Sequence, residues 1–226
     1  MIEGTVHTIT IGNFTFIADA VGALYWSEQQ MLVVADLHLE KGSSFARRGL
    51  LLPPYDSAVT LHNLSKLLTR YAPQRVIALG DSFHDGDGSR RMTAHDRDTL
   101  ASLQRGRDWI WIAGNHDPEP LAIGGTFARE LGVDGLVFRH EPTGEAGEIA
   151  GHLHPRARVR WRGHVVVRRC FAASPECVVM PAIGAYTGGL NILDRAFGKV
   201  FATGAFTAHL LGSGRLYAFP AGHCLQ

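Results

Sequence analysis

The feature that most limits the fold is a repeated ending. Short apolar runs recur along the chain, and each stops at a residue able to hold a metal. Met31–Ala35 ends in Asp36, and Arg75–Leu79 ends in Gly80-Asp81. Residues 109–113 end in Gly114-Asn115-His116-Asp117. Residues 136–138 lead through Arg139 to His140, and Glu148–Ala150 leads to Gly151-His152. Runs this short, β-branched or aromatic and closed by turn formers, read as buried strands. In α/β sheets, ligand sites gather beyond the carboxyl ends of strands. The placement of these endings therefore points to one shared site.

Between the runs lie helical patterns. Over residues 57–71, Val59, Leu61, Leu64, Leu67 and Leu68 form a stripe near helical period, with Pro73 just beyond. Residues 93–105 carry a weaker pattern, Leu100 and Leu103 among charges. Strand and helix in alternation predict a layered α/β domain. The last third differs: residues 164–172, 177–182, 199–203 and 215–219 are strand-like with little helix between them. A second sheet packed on the first is expected, within one domain spanning 1–226.

Composition narrows the function classes. A hydrophobic fraction of 46% over 226 residues fills a sizeable core and argues against disorder. The net charge of +1 argues against a dedicated high-affinity basic binder, while leaving a local phosphate-binding patch open. Three cysteines, Cys170, Cys177 and Cys224, with no C-x-x-C, suggest neither a disulfide framework nor a zinc ribbon. Reduced cysteines in a cytoplasmic protein are the expectation. The N-terminus lacks the pattern of a signal peptide, and no apolar run is long enough to span a membrane.

The endings assemble into five blocks: Asp36-Leu37-His38, Gly80-Asp81, Gly114-Asn115-His116-Asp117, His140, and Gly151-His152-Leu153-His154. They offer carboxylate, imidazole and amide ligands. Because i and i+2 share one side of a strand, Asp36 with His38, and His152 with His154, are each expected to aim two groups at one place.

In this order the blocks resemble the calcineurin-like metallophosphoesterase superfamily: D-x-H, G-D, G-N-H-D/E, a lone His, then G-H-x-H. The resemblance implies two packed, mainly mixed β-sheets flanked by helices. It implies that Asp36, His38 and His154 hold a first metal, that Asn115, His140 and His152 hold a second, and that Asp81 bridges them. His116 would bind no metal and would face the substrate phosphate as the catalytic acid or charge stabiliser. Two divalent metals in such sites acidify a shared water and steady the phosphoryl oxygens. Oxygen and imidazole donors without thiolate fit manganese, the family's frequent working metal, or iron or zinc.

One position departs from the pattern. Many members carry an aspartate three residues after the bridging one, where it orients the catalytic histidine; here that position is His84. Asp85 or Asp117 could substitute, or His84 could itself contact substrate.

Further stretches resemble one bacterial subfamily, the ligase-associated DNA damage response endonucleases. They are Ala35 through Gly42, Arg48-Gly49 through Pro53-Pro54-Tyr55-Asp56, Leu79 through Asp85, and Pro181 through Asn191. The resemblance implies a phosphodiester substrate in DNA repair. By the same token it implies work alongside a DNA ligase, an exonuclease and a helicase.

Several cations stand near the blocks. Arg47 and Arg48 could grip a neighbouring phosphate, a solvated loop being the equal alternative. Lys41 leans to the solvated side, and Arg90 and Arg91 read as exposed. Arg156, Arg158, Arg160 and Arg162 alternate with Ala157, Val159 and Trp161, the pattern of a strand with one basic face. A nucleic-acid track and a charged solvent face both fit it, the latter better. Tyr55 could stack on a base or pack under its loop. The Gly184–Asn191 stretch fits either a turn that brings backbone near the metals or a hairpin loop.

Three functions compete. The first is an enzyme cleaving phosphodiesters in DNA. The second is an enzyme acting on small nucleotides or phosphomonoesters. The third is a metal-site fold kept as a protein-binding scaffold, which the filled ligand positions disfavour. An open basic groove would favour the first, and a deep closed pocket the second.

Overall fold

Three strands precede the first run singled out above. In the computed structural model, which describes residues 7–119, 122–202 and 204–226, they are β1 (Thr8–Ile11), β2 (Phe14–Ala18) and β3 (Leu24–Trp26). Each is short, and β1 alternates exposed and buried residues, so it contributes only one apolar face. They form an antiparallel meander that leads into β4 (Met31–Ala35). From β4 the sheet turns parallel through β5 (Arg75–Leu79), β6 (Asp108–Ile112) and β7 (Thr126–Ala128). All five residues of β4 are buried, as a strand covered on both faces requires.

The parallel crossovers are helical. After α1 (Lys41–Ala46) comes α2 (Asp56–Tyr71), which buries Leu61, Leu64, Leu67 and Leu68 on one side. It stops at Ala72, whose left-handed backbone donates its N–H to the Leu68 carbonyl, and Pro73 cannot continue it. Next are the single turn α3 (Gly88–Arg91) and α4 (Ala94–Gln104). Thr93 caps α4 by accepting from the Asp96 N–H at 3.1 Å.

The second sheet is also mixed. It runs β15 (Leu216–Pro220), β14 (Thr207–Leu211), β12 (His164–Ala173), β13 (Cys177–Val179), β10 (Glu148–Ala150), β9 (Leu136–Arg139), β8 (Glu130–Val133). Strand β10 is parallel to both β9 and β13. Strand β11 (Arg156–Trp161) pairs with the outer half of β12 as an antiparallel hairpin, and Arg156 also bridges to Asn191.

Period-two burial sorts the core into layers. Met31, Val33, Ile77 and Ile110 face the other sheet and meet Phe138, Ile149, Phe171 and Val178. Leu32, Val34, Val76 and Trp109 face the opposite way, onto α2 and α4. On the far side of the second sheet, Cys170, Ala172 and Val179 pack against Phe197 and Val200 of α5 (Arg195–Val200). The result is the expected α/β architecture, two packed mixed sheets flanked by few helices.

Two sequence expectations fail here. Residues 199–202 are not a strand: Lys199 and Val200 close α5, which is capped by Asp194, whose side chain accepts from the Ala196 N–H. Thr203, the end of that expected strand, lies outside the described residues. The helix escaped notice because six residues give too little periodicity to detect. The expected strand at 177–182 ends at Val179, because Pro181 has no N–H for a ladder. Among the described residues no helix is long and apolar enough to cross a membrane.

Candidate metal centre

The carboxyl ends of β4, β5, β6, β9 and β10 all open onto one place. Asp36 and His38 follow β4, Asp81 follows β5, Asn115 and His116 follow β6, His140 follows β9, and His152 and His154 follow β10. Asp36, His38 and His154 each offer one donor atom, mutually within 4.8 Å; Asp81, His140 and His152 do the same. Asp36, His38, Asp81 and His140 are almost wholly buried.

The two groups touch. Asp81 Oδ1 lies 3.4 Å from His140 Nε2, while its Oδ2 lies 3.8 Å from His38 Nε2 in the first group. Asp36 Oδ1 lies 3.2 Å from His154 Nε2 and 3.7 Å from His140 Nδ1. Asn115 Oδ1 is 2.9 Å from His140 Nε2.

The side chains do not converge by strand alternation. Asp36, His38, Asp81, His152 and His154 all have positive φ, between 42° and 70°. Such backbone is uncommon for residues with a Cβ and costs of order 1–3 kcal/mol each. The i,i+2 expectation is therefore corrected: Asp36 and His38 do meet in one donor group, but His152 and His154 go to different groups, and loops that curl left-handed beyond the strand ends set both directions. Hydrogen bonds hold that shape. The His38 N–H donates to the Asp81 carbonyl at 2.9 Å, and the His152 N–H donates to the Asp36 carboxylate at 3.0 Å.

The glycine ahead of several ligands has a steric reason. A Cβ at Gly80, whose φ is 67°, would lie 2.5 Å from the His140 ring. At Gly114 it would lie 2.1 Å from the Asp81 backbone nitrogen. Neither loop could approach so closely with any side chain there.

Electrostatically the centre is rich in acceptors and poor in donors. His140 Nδ1–H donates to the Leu79 carbonyl at 3.0 Å, so in the neutral ring Nε2 carries the lone pair. That lone pair faces Asn115 Oδ1 at 2.9 Å and His152 Nδ1 at 3.1 Å. His38 Nε2 and His154 Nε2 face each other at 3.3 Å. Burial, with His154 and Lys41 adding repulsion, pushes the His38 pKa far down. Burial, then His140, lowers that of His152. Imidazole nitrogens and carboxylate oxygens aimed at one another in this way fit divalent cations.

His116 sits at the open side, 38% exposed, with Nε2 3.9 Å from Asp81 Oδ2. Its Nδ1–H donates to the His84 carbonyl at 2.7 Å, and the two rings stack. The main chain of His84 thus orients His116. Neither carboxylate named as a substitute does so. Asp85 is held by Arg91 in two bonds of 2.8 Å. Asp117 accepts the N–H groups of Phe83 at 3.0 Å and Gly114 at 3.2 Å, tying two ligand loops together. Burial pushes the Asp117 pKa up to about 6.

The flanking cations divide. Arg47 makes an exposed pair with Asp87 at 3.4 Å, and Arg48 lies over the Phe45 ring. Burial, then Lys41, His116 and Arg48, holds His84 down at about 4, so Lys41 and Arg48 form a cationic rim beside it. Arg90 is exposed as expected, whereas Arg91 is not, because Asp85 holds it. Tyr55 is exposed rather than packed under its loop.

Sequence reasoning passed over the props. Glu40 is buried and accepts the hydroxyls of Ser43 at 2.7 Å and Ser57 at 2.9 Å. Asp56 accepts the Gly42 N–H at 3.0 Å. The glycine-rich stretch is the turn that approaches the centre: the Gly184 N–H donates to the Asp36 carbonyl at 3.1 Å.

A model of the calcineurin-like phosphoesterase family matches residues 30–168, which contain every strand ending just described. The chain belongs to that family. It is accordingly a hydrolase of phosphate esters, of a family that uses divalent metals. The Pseudomonas putida nuclease MPE has a similar fold, with a TM-score of 0.72 and 23% identity over 94% of this chain and 100% of that one. No curated protein matches this family member significantly by sequence.

Proposed function

We propose that this phosphoesterase is a phosphodiesterase that cleaves DNA, working with two divalent cations, manganese foremost. Asp36, His38 and His154 would hold one, Asn115, His140 and His152 the other, and Asp81 both. The observation that carries the reading is the pair of donor groups joined through Asp81, with His116 poised at their open side. The structural likeness to a nuclease supports a phosphodiester over a monoester.

Bound cations would supply an acidified water and positive charge against the phosphoryl oxygens. The chain's own residues do the rest. Asp81 and Asp36 offset the cationic charge, and their buried, bonded carboxylates need no reorganisation. His116, pinned through Nδ1, presents Nε2 to the open side, where it would hydrogen-bond a phosphate oxygen or deliver a proton to the leaving oxygen. Lys41 and Arg48 on the rim attract the anionic substrate. A role in DNA repair belongs to the same reading, by the resemblance of the stretches around Glu40, Asp85 and Gly184.

A substrate panel tests it. Purified protein with manganese is given bis-p-nitrophenyl phosphate, p-nitrophenyl phosphate, cyclic nucleotides and single-stranded DNA. Cleavage of the diester and of DNA is expected. Activity confined to monoesters would overturn the reading in favour of a small-phosphate hydrolase.

A further inference from the structure

The positive charge of this chain is concentrated in one hairpin. Residues 156–169, which span β11 and most of β12, contain six arginines and no carboxylate, in a chain whose net charge is only +1. Cross-strand register sets Arg156 directly opposite Arg169. Like charges so placed destabilise a ladder. Among the described residues, no ion pair involves any of the six.

Two of these arginines are also drawn inward. Arg169 Nη1 donates to the Ala182 carbonyl at 2.6 Å, which leaves the rest of its guanidinium uncommitted. Arg156 Nε is buried without a hydrogen-bond partner. A buried, unpaired donor on a cation costs stability, and negative charge brought close to the guanidinium offsets that cost.

The pair opens onto a groove that Asn63, Tyr186 and Thr187 also line. This groove adjoins the metal centre through one loop. At one end of the loop the Gly184 N–H holds the Asp36 carbonyl; at the other the Leu190 carbonyl accepts the Arg156 N–H at 2.8 Å. Arg156 itself follows His154 by two residues. Between these ends, Tyr186 has a φ of 60° and is 45% exposed. A bulky residue with left-handed backbone is strained, and here the strain accompanies an aromatic ring presented to solvent.

We propose that this groove is a second subsite, which takes a phosphate next to the scissile one in an extended polynucleotide strand. Arg156 and Arg169 hold its oxygens, and Tyr186 stacks on a neighbouring base. The proposal rests on the diesterase reading above and sharpens it: the substrate is a strand, not a mononucleotide.

The test compares Arg156→Gln and Tyr186→Ala with wild type and with Arg195→Gln, an exposed arginine on α5. Binding of a fluorescent single-stranded oligonucleotide of about a dozen nucleotides is read by anisotropy across salt concentrations. Hydrolysis of that strand and of bis-p-nitrophenyl phosphate is read in manganese. Each groove variant is expected to weaken oligonucleotide binding by about 5–10-fold. Arg156→Gln also lowers the salt slope by about one. Arg195→Gln does neither. The loss in kcat/KM should be larger on the strand than on the small diester. Unchanged oligonucleotide binding would overturn the subsite. Equal losses on both substrates would also overturn it, by making Arg156 a prop for the His154 loop. A wild type that binds the strand through this groove yet cleaves no diester would instead sink the preceding reading and leave the subsite standing.

Discussion

The loops around the metal centre and the β11–β12 hairpin treat polar side chains in opposite ways. In the loops the carboxylates that hold the backbone are buried and bonded: Asp117 takes two backbone N–H groups, Asp36 takes that of His152, and Glu40 takes two hydroxyls. The backbone there accepts left-handed strain at five of the candidate ligands. In the hairpin the arginines of β11 alternate with apolar residues, and the six face solvent, each other or main-chain oxygens, with no aspartate or glutamate partner among the described residues. One region is organised before anything binds. The other keeps charge unspent until a partner arrives. Reaction chemistry needs the first arrangement, because donors must already sit where charge develops. Recognition of a flexible polyanion tolerates the second, because counterion release provides much of the affinity.

If the contrast holds, substitutions in the loops should cost far more than those in the hairpin. The largest effect is expected at Asp81, which touches both donor groups. Asp81→Ala should lower turnover by at least about 10³-fold and reduce bound metal, as read by steady-state kinetics and elemental analysis. Retained metal and activity would break the contrast at its strongest point. His116→Ala should lose about 10²–10³-fold in kcat while keeping its metal. Metal loss in that variant would move His116 among the ligands.

Asp117→Ala probes the props rather than the chemistry. It orphans two buried N–H groups, those of Phe83 and Gly114, and should cost about 2–4 kcal/mol in urea-induced unfolding. A cost below about 1 kcal/mol would show that the loops hold themselves.

The smallest expected effect lies away from both regions. His209 is held down at about 4 by burial and then by His7, whose Nε2 lies 2.7 Å from its Nδ1. A folded pKa below the unfolded 6.5 contributes stability at pH above 6.5 that is lost as pH falls from 6.5 through about 4. His209→Gln should flatten the fall in melting temperature across that window. An unchanged slope would exclude the His7–His209 pair as its source.

The centre was largely legible in sequence because its chemistry demands particular residue types at strand ends. Asp36, Asp81, Asn115, His140 and His152 each follow a run whose apolar composition is hard to mistake. What escaped was geometry set by tertiary contact. Nothing local reveals that Asp36 and His38 adopt positive φ, since that shape is imposed by bonds to Asp81, Gly184 and His152. The absence of an aspartate at position 84 suggested a missing orienting group, yet the role falls to the main-chain carbonyl of His84, which any residue possesses. The same limit hid α5 and the meander β1–β3, whose short elements acquire their identity from the sheet faces they cover. The arginine alternation of β11 is visible in the sequence, and Arg158, Arg160 and Arg162 form the exposed face it predicts; that Arg169 stands opposite Arg156 is set by the hairpin register, which no local pattern gives.

The central claim is that side chains from five strand ends hold two cations joined by Asp81. Anomalous diffraction from crystals grown with manganese tests it most directly. Two peaks are predicted, one among Asp36, His38 and His154, one among Asn115, His140 and His152, with Asp81 between them. A single peak, or manganese bound elsewhere with this cluster empty, would contradict the account.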